Sequence, residues 1–277
     1  MIASVRGGRE RPLISIVSVT YLDLDGVMET VDSIQAQRGV ESSCIEHVVV
    51  DGGTDGFPKE IVGNIFVRVI SEQDQGLYDA MNKGTLAARG DYVMFLNGGD
   101  ILYNSFVLKS LVDFLGGLEL DEFVFGRASM VGDELGEERF YPSYRYGGGN
   151  IDQFLESAFP CHQSMLIPRW FCIEQLYDTR YRISADAKFK KLALKKMRVA
   201  FFDSPIVSFD LCGISSSTKT LSALGARFKE SKMLYDDGLS SRWELLRSFF
   251  FHVTKYFTAN VGGKRALVLF RNIFRGE

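Results

Sequence analysis

Four short apolar runs in the first hundred residues constrain this 277-residue chain more than any other feature. They are Leu13–Thr20 (LISIVSVT), Ile45–Val50 (IEHVVV), Phe66–Ser71 and Tyr92–Leu96 (YVMFL). Each is rich in β-branched or aromatic residues and too short to favour a helix, which is the pattern of a buried strand. Between them lie segments with helical spacing. Asp25–Gln37 sets Val27, Met28, Val31 and Ile34 at helical intervals, and Gly76–Ala88 is expected to turn Leu77, Met81 and Leu86 inward. Strand and helix alternate over about a hundred residues, so the sequence predicts an α/β fold with a mostly parallel sheet flanked by helices.

The rhythm changes after residue 100. Ser105–Leu115 reads as a helix and Glu122–Val131 as a strand. Residues 133–150, rich in Gly, Tyr and charge, read as a long loop or ragged hairpin. His162–Ile167 and Val199–Leu211 are strand-like and flank a helix near Asp186–Lys196. From Ser240 onward seven Arg or Lys residues stand against Glu244 and Glu277, interleaved with Trp243, Phe249, Phe250, Phe251 and further aromatics. Such a segment suits the headgroup layer of an anionic bilayer, or a pair of helices packed on the main domain with the basic residues merely solvated.

Composition narrows the function classes. A net charge of −3 argues against nucleic acid as a partner. The four cysteines (Cys44, Cys161, Cys172, Cys212) have no metal-ligand spacing, which suits a reduced, cytosolic setting. Three scattered histidines do not suggest a zinc site. The first eleven residues read as a flexible polar leader rather than a secretory signal, and no apolar run is long enough to span a bilayer.

The chemistry concentrates at strand ends. Thr20, Asp51, Glu72 with Asp74, and Asp100 fall at the C-terminal tips of successive strands, the edge that lines the ligand crevice of an open α/β sheet. Singly, each has a plain structural use in capping or turn formation. Together they suit a nucleotide. Asp51 is placed to accept from a base N–H, and the glycines beside it let the backbone approach closely. Asp100 offers hard oxygen to Mn²⁺ or Mg²⁺. Lys83 is either a second positive charge for a diphosphate or a solvated helix lysine.

The pattern TYL…VVVDGGTDG…EQDQGLYDAMNKG…FLNGGD resembles the family 2 glycosyltransferases of the GT-A fold, most closely the bacterial exopolysaccharide and O-antigen (colanic-acid-like) branch. The resemblance implies a Rossmann-like sheet with Thr20, Tyr21 and Asp51 on the nucleotide, and with Asp74, Asp79, Asn82, Lys83 and Asn97 on the donor side. Asn97-Gly-Gly-Asp100 stands where the family carries its Asp-x-Asp metal motif, leaving Asp100 as the metal carboxylate. PCHQSMLIPR is similar to an acceptor-side segment, implicating His162 and Gln163. RYRISADAKFKKLALKK matches a segment whose acid is the catalytic base, here Asp186; capping of the helix that follows is its plain alternative. FDLCGISSS is similar to a Gly-Ile-Ser loop near the end of the catalytic domain.

The implied organisation is a leader over residues 1–11, a catalytic domain over 12–217 (a nucleotide-binding half to 100, an acceptor half beyond) and a helical extension over 218–277. The implied activity is an inverting hexosyl transfer from a nucleotide-sugar, with UDP favoured by resemblance. The acceptor would be a saccharide, free or lipid-linked, in surface polysaccharide synthesis. The protein is expected in the cytoplasm or peripherally on the inner membrane face. Two other classes compete. A sugar nucleotidyltransferase needs a basic glycine-rich loop after the first strand, where this chain has YLDLDGV. A non-catalytic nucleotide-sugar-binding regulator or scaffold would bind donor without turnover.

Overall fold

Continuous burial turns the apolar runs into strands β1 (Ile14–Thr20), β2 (Ile45–Asp51), β3 (Phe66–Ser71) and β4 (Tyr92–Phe95). They pair in parallel in the order β3-β2-β1-β4, and the register sets Thr20 beside Asp51 and Asp51 beside Ser71. The polar tips of three strands therefore share one edge, as the sequence predicts. The structure, a computed structural model, describes residues 11–119, 121–131, 138–147, 149–210 and 220–260. The expected leader, the Gly-Ile-Ser loop, the boundary at residue 217 and the tail beyond Asn260 lie outside these residues, apart from Arg11 at the leader's end and Phe209 and Asp210 before the loop.

Helix α1 (Leu24–Gln35) starts where the Asp23 side chain accepts from the Gly26 N–H at 3.0 Å, and it buries Val27, Thr30, Val31 and Ile34. Helix α2 (Leu77–Ala87) corrects the expected inner face: Leu77 and Leu86 are exposed, and the buried residues are Tyr78, Ala80, Met81, Gly84 and Thr85. Close approach to the sheet sets that choice. A Cβ on Gly84 would lie 2.3 Å from a Val17 methyl carbon, so the small residues Ala80 and Gly84 face the strands and the two leucines are turned out. The alternation is also less regular than expected, because residues 52–65 join β2 to β3 without a helix.

Beyond β4 the sheet becomes mixed. β8 (Met165–Pro168) runs antiparallel to β4, and β6 (Phe123–Val131) antiparallel to β8. β9 (Val199–Asp210) lies parallel to β6, and the short β5 (Ile101–Leu102) closes the row antiparallel to β9. β7 (Arg139–Tyr141) pairs with β6, which gives the glycine- and tyrosine-rich segment the hairpin form. The run expected as one strand from His162 divides into a 3₁₀ turn, His162–Ser164, and β8. Helix α3 (Val107–Leu115) packs Val107, Leu108, Leu111 and Leu115 into a core shared with Ile16, Tyr92, Met94, Val124, Leu166 and Val207. Two short helices, α4 (Ile151–Ser157) and α5 (Arg169–Glu174), complete this part.

The chain divides into two compact units, Met1–Thr179 with Leu192–Asp210, and Arg180–Lys191 with Leu211–Glu277. Helix α6 (Ala185–Lys196) begins in the second unit, which also holds α7 (Leu221–Asp236) and α8 (Arg242–Asn260). Buried Glu230 on α7 accepts from the Arg182 and Ser184 N–H groups, each at 2.8 Å, and from the Ser184 hydroxyl. One carboxylate thereby holds the backbone donors of the turn that leads into α6. The Phe228 and Phe249 rings, 5.1 Å apart, and the Ser231–Ser248 hydroxyl pair join α7 to α8. The C-terminal segment is helical, as expected, as far as Asn260.

Candidate active site

The site's first wall is the turn after β2. Asp51 is fully buried. Its Oδ2 accepts from the Gly53 N–H (3.1 Å), the Thr54 N–H (2.8 Å) and the Ser71 hydroxyl (2.7 Å), and its Oδ1 from the Thr54 hydroxyl (2.6 Å). Burial pushes the carboxyl pKa upward, but these donors outweigh it and hold Asp51 below the ordinary carboxylate value. Asp51, expected to meet a base N–H, is enclosed here with Oδ2 holding three donors and Oδ1 one, and these bonds shape the 51–54 turn.

That turn holds the one after β1. Thr54 Oγ accepts from the Leu22 N–H at 2.9 Å, and Leu22 sits at φ +54°, a left-handed conformation that costs a non-glycine residue about 1 kcal/mol or more. Thr20 donates to the Asp23 carbonyl at 2.9 Å, which fixes the entry to α1. Tyr21, between them, is 63% exposed. Gly52 is needed for close approach here, since a Cβ would lie 2.6 Å from Asp74 Oδ2 and 3.0 Å from Tyr21 Cδ2. Tyr21, Gly52 and Asp74 thus meet at one point.

The carboxylate cluster is organised around Lys83. Its ammonium lies 2.9 Å from Glu72, 3.8 Å from Asp79 and 2.6 Å from the Gln73 carbonyl. The hydrogen bond to Glu72, with the charges of Glu72, Asp79 and Asp74, outweighs desolvation and raises its pKa, so it stays cationic. A freely solvated helix lysine does not describe it. Asp74 accepts from the Gly76 N–H at 2.7 Å and Asp79 from the Gln75 N–H at 3.0 Å, which pins the loop into α2. Asn82, expected on the donor side, is used otherwise. Its amide donates to the Tyr177 carbonyl (2.9 Å) and accepts from the Tyr177 N–H (2.8 Å), so both ends are spent on a backbone clamp.

The second wall is the turn Asn97–Asp100. Buried Thr30, from the middle of α1, donates toward the Asn97 (3.1 Å) and Asp100 (2.8 Å) carbonyls and accepts from the Gly99 N–H (3.0 Å). The sequence reading missed Thr30; the available signal was a hydroxyl on a helix face otherwise made of valine and isoleucine. Burial lifts the Asp100 carboxyl to about 6, against hydrogen bonds from Gln163 and from the turn's own backbone that lower it. Gln163 Nε2 donates to Asp100 Oδ2 at 3.2 Å, joining the expected acceptor side to the expected metal carboxylate. His162 is anchored more deeply. Its ring stacks on Phe95 (centroids 5.3 Å apart, 24° between planes), and Nε2 meets the Tyr177 hydroxyl at 2.7 Å.

The donor set on this turn fits a hard divalent cation. Asp100 supplies a carboxylate, and Asn97 Oδ1 is buried with no hydrogen-bond partner among the described residues. No three His, Cys, Asp or Glu side chains cluster among those residues, so further ligands would have to come from phosphate or water. A cavity of about 550 Å³, lined by Thr54, Phe57, Lys59, Val69 and Ser71, adjoins the two hydroxyls that hold Asp51. Asp186 lies in the second unit, in the first turn of α6, where its carboxylate pairs with Lys190 at 2.7 Å. Just before it, the Ser184 N–H and hydroxyl both donate to Glu230.

The sequence profile of "Glycosyl transferase family 2" matches residues 15–171, a span that contains the turns of both walls and stops short of Tyr177 and Asp186. The chain is 32% identical over 188 residues to the PGL/p-HBAD biosynthesis glycosyltransferase Rv2957 of Mycobacterium tuberculosis, covering 64% of this chain and 68% of that protein. Among solved structures it is similar to S. aureus TarS 1–349 (TM-score 0.61, 15% identity, 94% of this chain and 80% of that one), also solved in complex with UDP-GlcNAc. The chain spans 44% of the longer TarS chain. It is likewise similar to the mannosyltransferase PcManGT from Pyrobaculum calidifontis, in complex with GDP-Man and Mn²⁺ (TM-score 0.56, 15% identity, 96% of this chain and 76% of that one).

Proposed function

Because the chain belongs to glycosyl transferase family 2, we propose that it moves a sugar from a nucleoside-diphosphate donor to a saccharide hydroxyl, with inversion at the anomeric carbon. The observation that carries this reading is the C-terminal strand edge itself. Tyr21 and the Asp51 turn stand on one side, the Asn97–Asp100 turn on the other, and cationic Lys83, on α2, holds the loop that meets the first. The UDP-GlcNAc complex of TarS supports a UDP-sugar as donor.

Each residue then has a role in that transfer. Tyr21 offers an exposed ring to the base, and the 51–54 turn fixes its position through Thr54 and Leu22. Lys83 keeps its charge for the diphosphate. A divalent cation held by Asp100 with Asn97 would neutralise the charge that builds on the departing diphosphate. Gln163 orients Asp100 from the acceptor side. Asp186, paired with Lys190 at 2.7 Å, takes the proton of the attacking hydroxyl. Release of nucleoside diphosphate from a panel of UDP- and GDP-sugars with Mn²⁺ tests the reading. Wild-type turnover is expected, lost in Asp186→Asn while calorimetry still detects nucleotide. Binding without turnover in the wild type would make the protein a nucleotide-sugar binder, and absence of binding would overturn the reading.

A lipid-linked acceptor is the preferred form, made at a membrane surface. Trp243, Leu246 and Phe250 are exposed along one stripe of α8, with Arg242 and Arg247 beside them, as an interfacial helix requires. No helix among the described residues is long and apolar enough to cross a membrane.

A further inference from the structure

The acceptor half carries an aromatic surface that the donor chemistry leaves unused. Arg127, the largest fully buried side chain, donates through Nε (2.8 Å) and Nη2 (2.5 Å) to Asp203 and through Nη1 to the Pro142 carbonyl (2.5 Å). Its guanidinium lies 5.1 Å from the Phe201 ring centroid and 4.3 Å from that of Tyr144. Tyr144 is nevertheless 58% exposed. A buried arginine thus holds one face of a tyrosine whose remaining surface meets solvent, an arrangement core packing does not require. The Phe140 ring abuts Tyr144 edge-on at 5.0 Å, and Tyr103 abuts Phe140 at 6.0 Å.

Polar groups border these rings. The Ser129 hydroxyl fixes Glu138 at 2.6 Å. Burial, and then the charge of Glu138, raise the Tyr103 phenol above its ordinary pKa, which puts that carboxylate at the Tyr103 end of the row. Asp203, half-exposed beside Arg127, borders the other end. Tyr103 follows Asp100 by three residues, so at most about 11 Å separates their Cα atoms.

We infer that Tyr144, buttressed edge-on by Phe140 and through it by Tyr103, forms a stacking platform for a pyranose ring of the acceptor, with Glu138 and Asp203 accepting from its hydroxyls. The C–H face of a pyranose matches the electron-rich face of an aromatic ring. A tyrosine locked by Arg127 supplies that face at small entropic cost. The inference rests on the transferase reading only for the word acceptor; the saccharide site stands on its own geometry.

Saturation-transfer NMR on the full chain tests it, using the methyl glycosides of glucose, galactose, mannose and rhamnose, and the n-octyl glycoside of any sugar that responds. Transfer to ring C–H protons of at least one methyl glycoside is expected. It should fall about fivefold or more in Tyr144→Ala and persist in Tyr144→Phe, which keeps the ring. An equal signal in Tyr144→Ala, no signal from any methyl glycoside, or a response to the octyl chain alone would overturn the platform. UDP-sugar binding by calorimetry runs alongside on each protein. Retained donor binding with a failed platform leaves the transferase reading intact, whereas a saccharide signal without donor binding in the wild type sinks that reading and not this one.

Discussion

His47 makes the sheet beneath the donor edge acid-sensitive in a way that can be measured. It lies in β2, fully buried, with Nε2 at 2.8 Å from the Ser18 hydroxyl and Nδ1 without a partner among the described residues. Desolvation lowers its pKa from 6.5 to about 3. The unfolded ring takes up a proton below pH 6.5 that the folded ring refuses until about pH 3. Stability is therefore fully present above pH 6.5 and declines at about 1.4 kcal/mol per pH unit below it. By pH 4.5 the loss reaches about 2.7 kcal/mol.

Asp100 pulls the other way. Its folded pKa of about 6 lies above the ordinary 3.8, so the native state holds a proton through that interval and gains stability as pH falls. By pH 4.5 this returns about 2 kcal/mol, and the wild-type profile should look deceptively flat. The variant His47→Gln separates the two, keeping an amide able to meet Ser18 and removing the titration. Trp243→Phe, at an exposed position, leaves Trp170 as the only tryptophan and so reports the unit that contains His47. In urea titrations at pH 7.5 and 4.5 the wild type should lose about 2.7 kcal/mol more than His47→Gln, a midpoint difference of about 1 M. Identical pH responses would refute the assignment of a neutral, desolvated ring at His47.

Three further outcomes follow from the same geometry. Asp100→Asn should raise stability at pH 7.5 by up to about 3 kcal/mol, lose the gain on acidification and abolish Mn²⁺-dependent diphosphate release; unchanged stability at pH 7.5 would contradict the raised pKa. Thr30→Val keeps the shape but removes the hydroxyl that holds both carbonyls of the Asn97–Asp100 turn, so it should cost about 1–3 kcal/mol and lower kcat/KM for the donor. A normal midpoint with normal transfer would show the turn to be self-supporting. Trp243→Ser with Phe250→Ser should weaken pelleting with phosphatidylserine vesicles by about tenfold or more, and equal pelleting would dismiss α8 as the membrane face.

Much of the fold's first half was legible because β1, β2 and β4 are buried throughout, so their apolar runs had no other stable use. Two details escaped for one reason, that side-chain size can outweigh hydrophobicity. α2 meets the sheet through Ala80 and Gly84, which a hydrophobic count undervalues, so Leu77 and Leu86 were turned the wrong way. The second half was less readable. β5 is two residues long and β8 four, and each exists because a neighbour completes its ladder. The 3₁₀ turn at His162 breaks what reads as one strand, and the signal for it is the Cys161 carbonyl accepting from the Ser164 N–H, a contact no periodicity encodes.

At the site, residue type is legible in the sequence, and the partners that constrain each residue are not. The acids were found because strand tips expose few other groups, yet the task of each depends on partners distant in sequence. Asp51 is consumed by Thr54 and Ser71, and Asn82 by Tyr177, which lies 95 residues away. Asp100 is held differently, since its carboxylate meets the amide of Gln163, from the segment expected to face the acceptor. That single hydrogen bond ties the charge on the Asn97–Asp100 turn to the segment that carries Gln163. A hydroxyl arriving near Gln163 competes for its amide, and any loss of that donor raises the proton affinity of Asp100. Gln163→Glu would place a second carboxylate beside Asp100 and should change the Mn²⁺ demand in one of two directions. If Gln163 serves only to orient Asp100, the pair binds Mn²⁺ more tightly and transfer persists at lower metal concentration. If its neutral amide is what keeps Asp100 ionised, like-charge repulsion protonates the pair and the metal requirement rises. The hydrogen bond donated by Gln163 lowers the Asp100 pKa, so the second outcome is the one expected, and a lowered requirement would refute it.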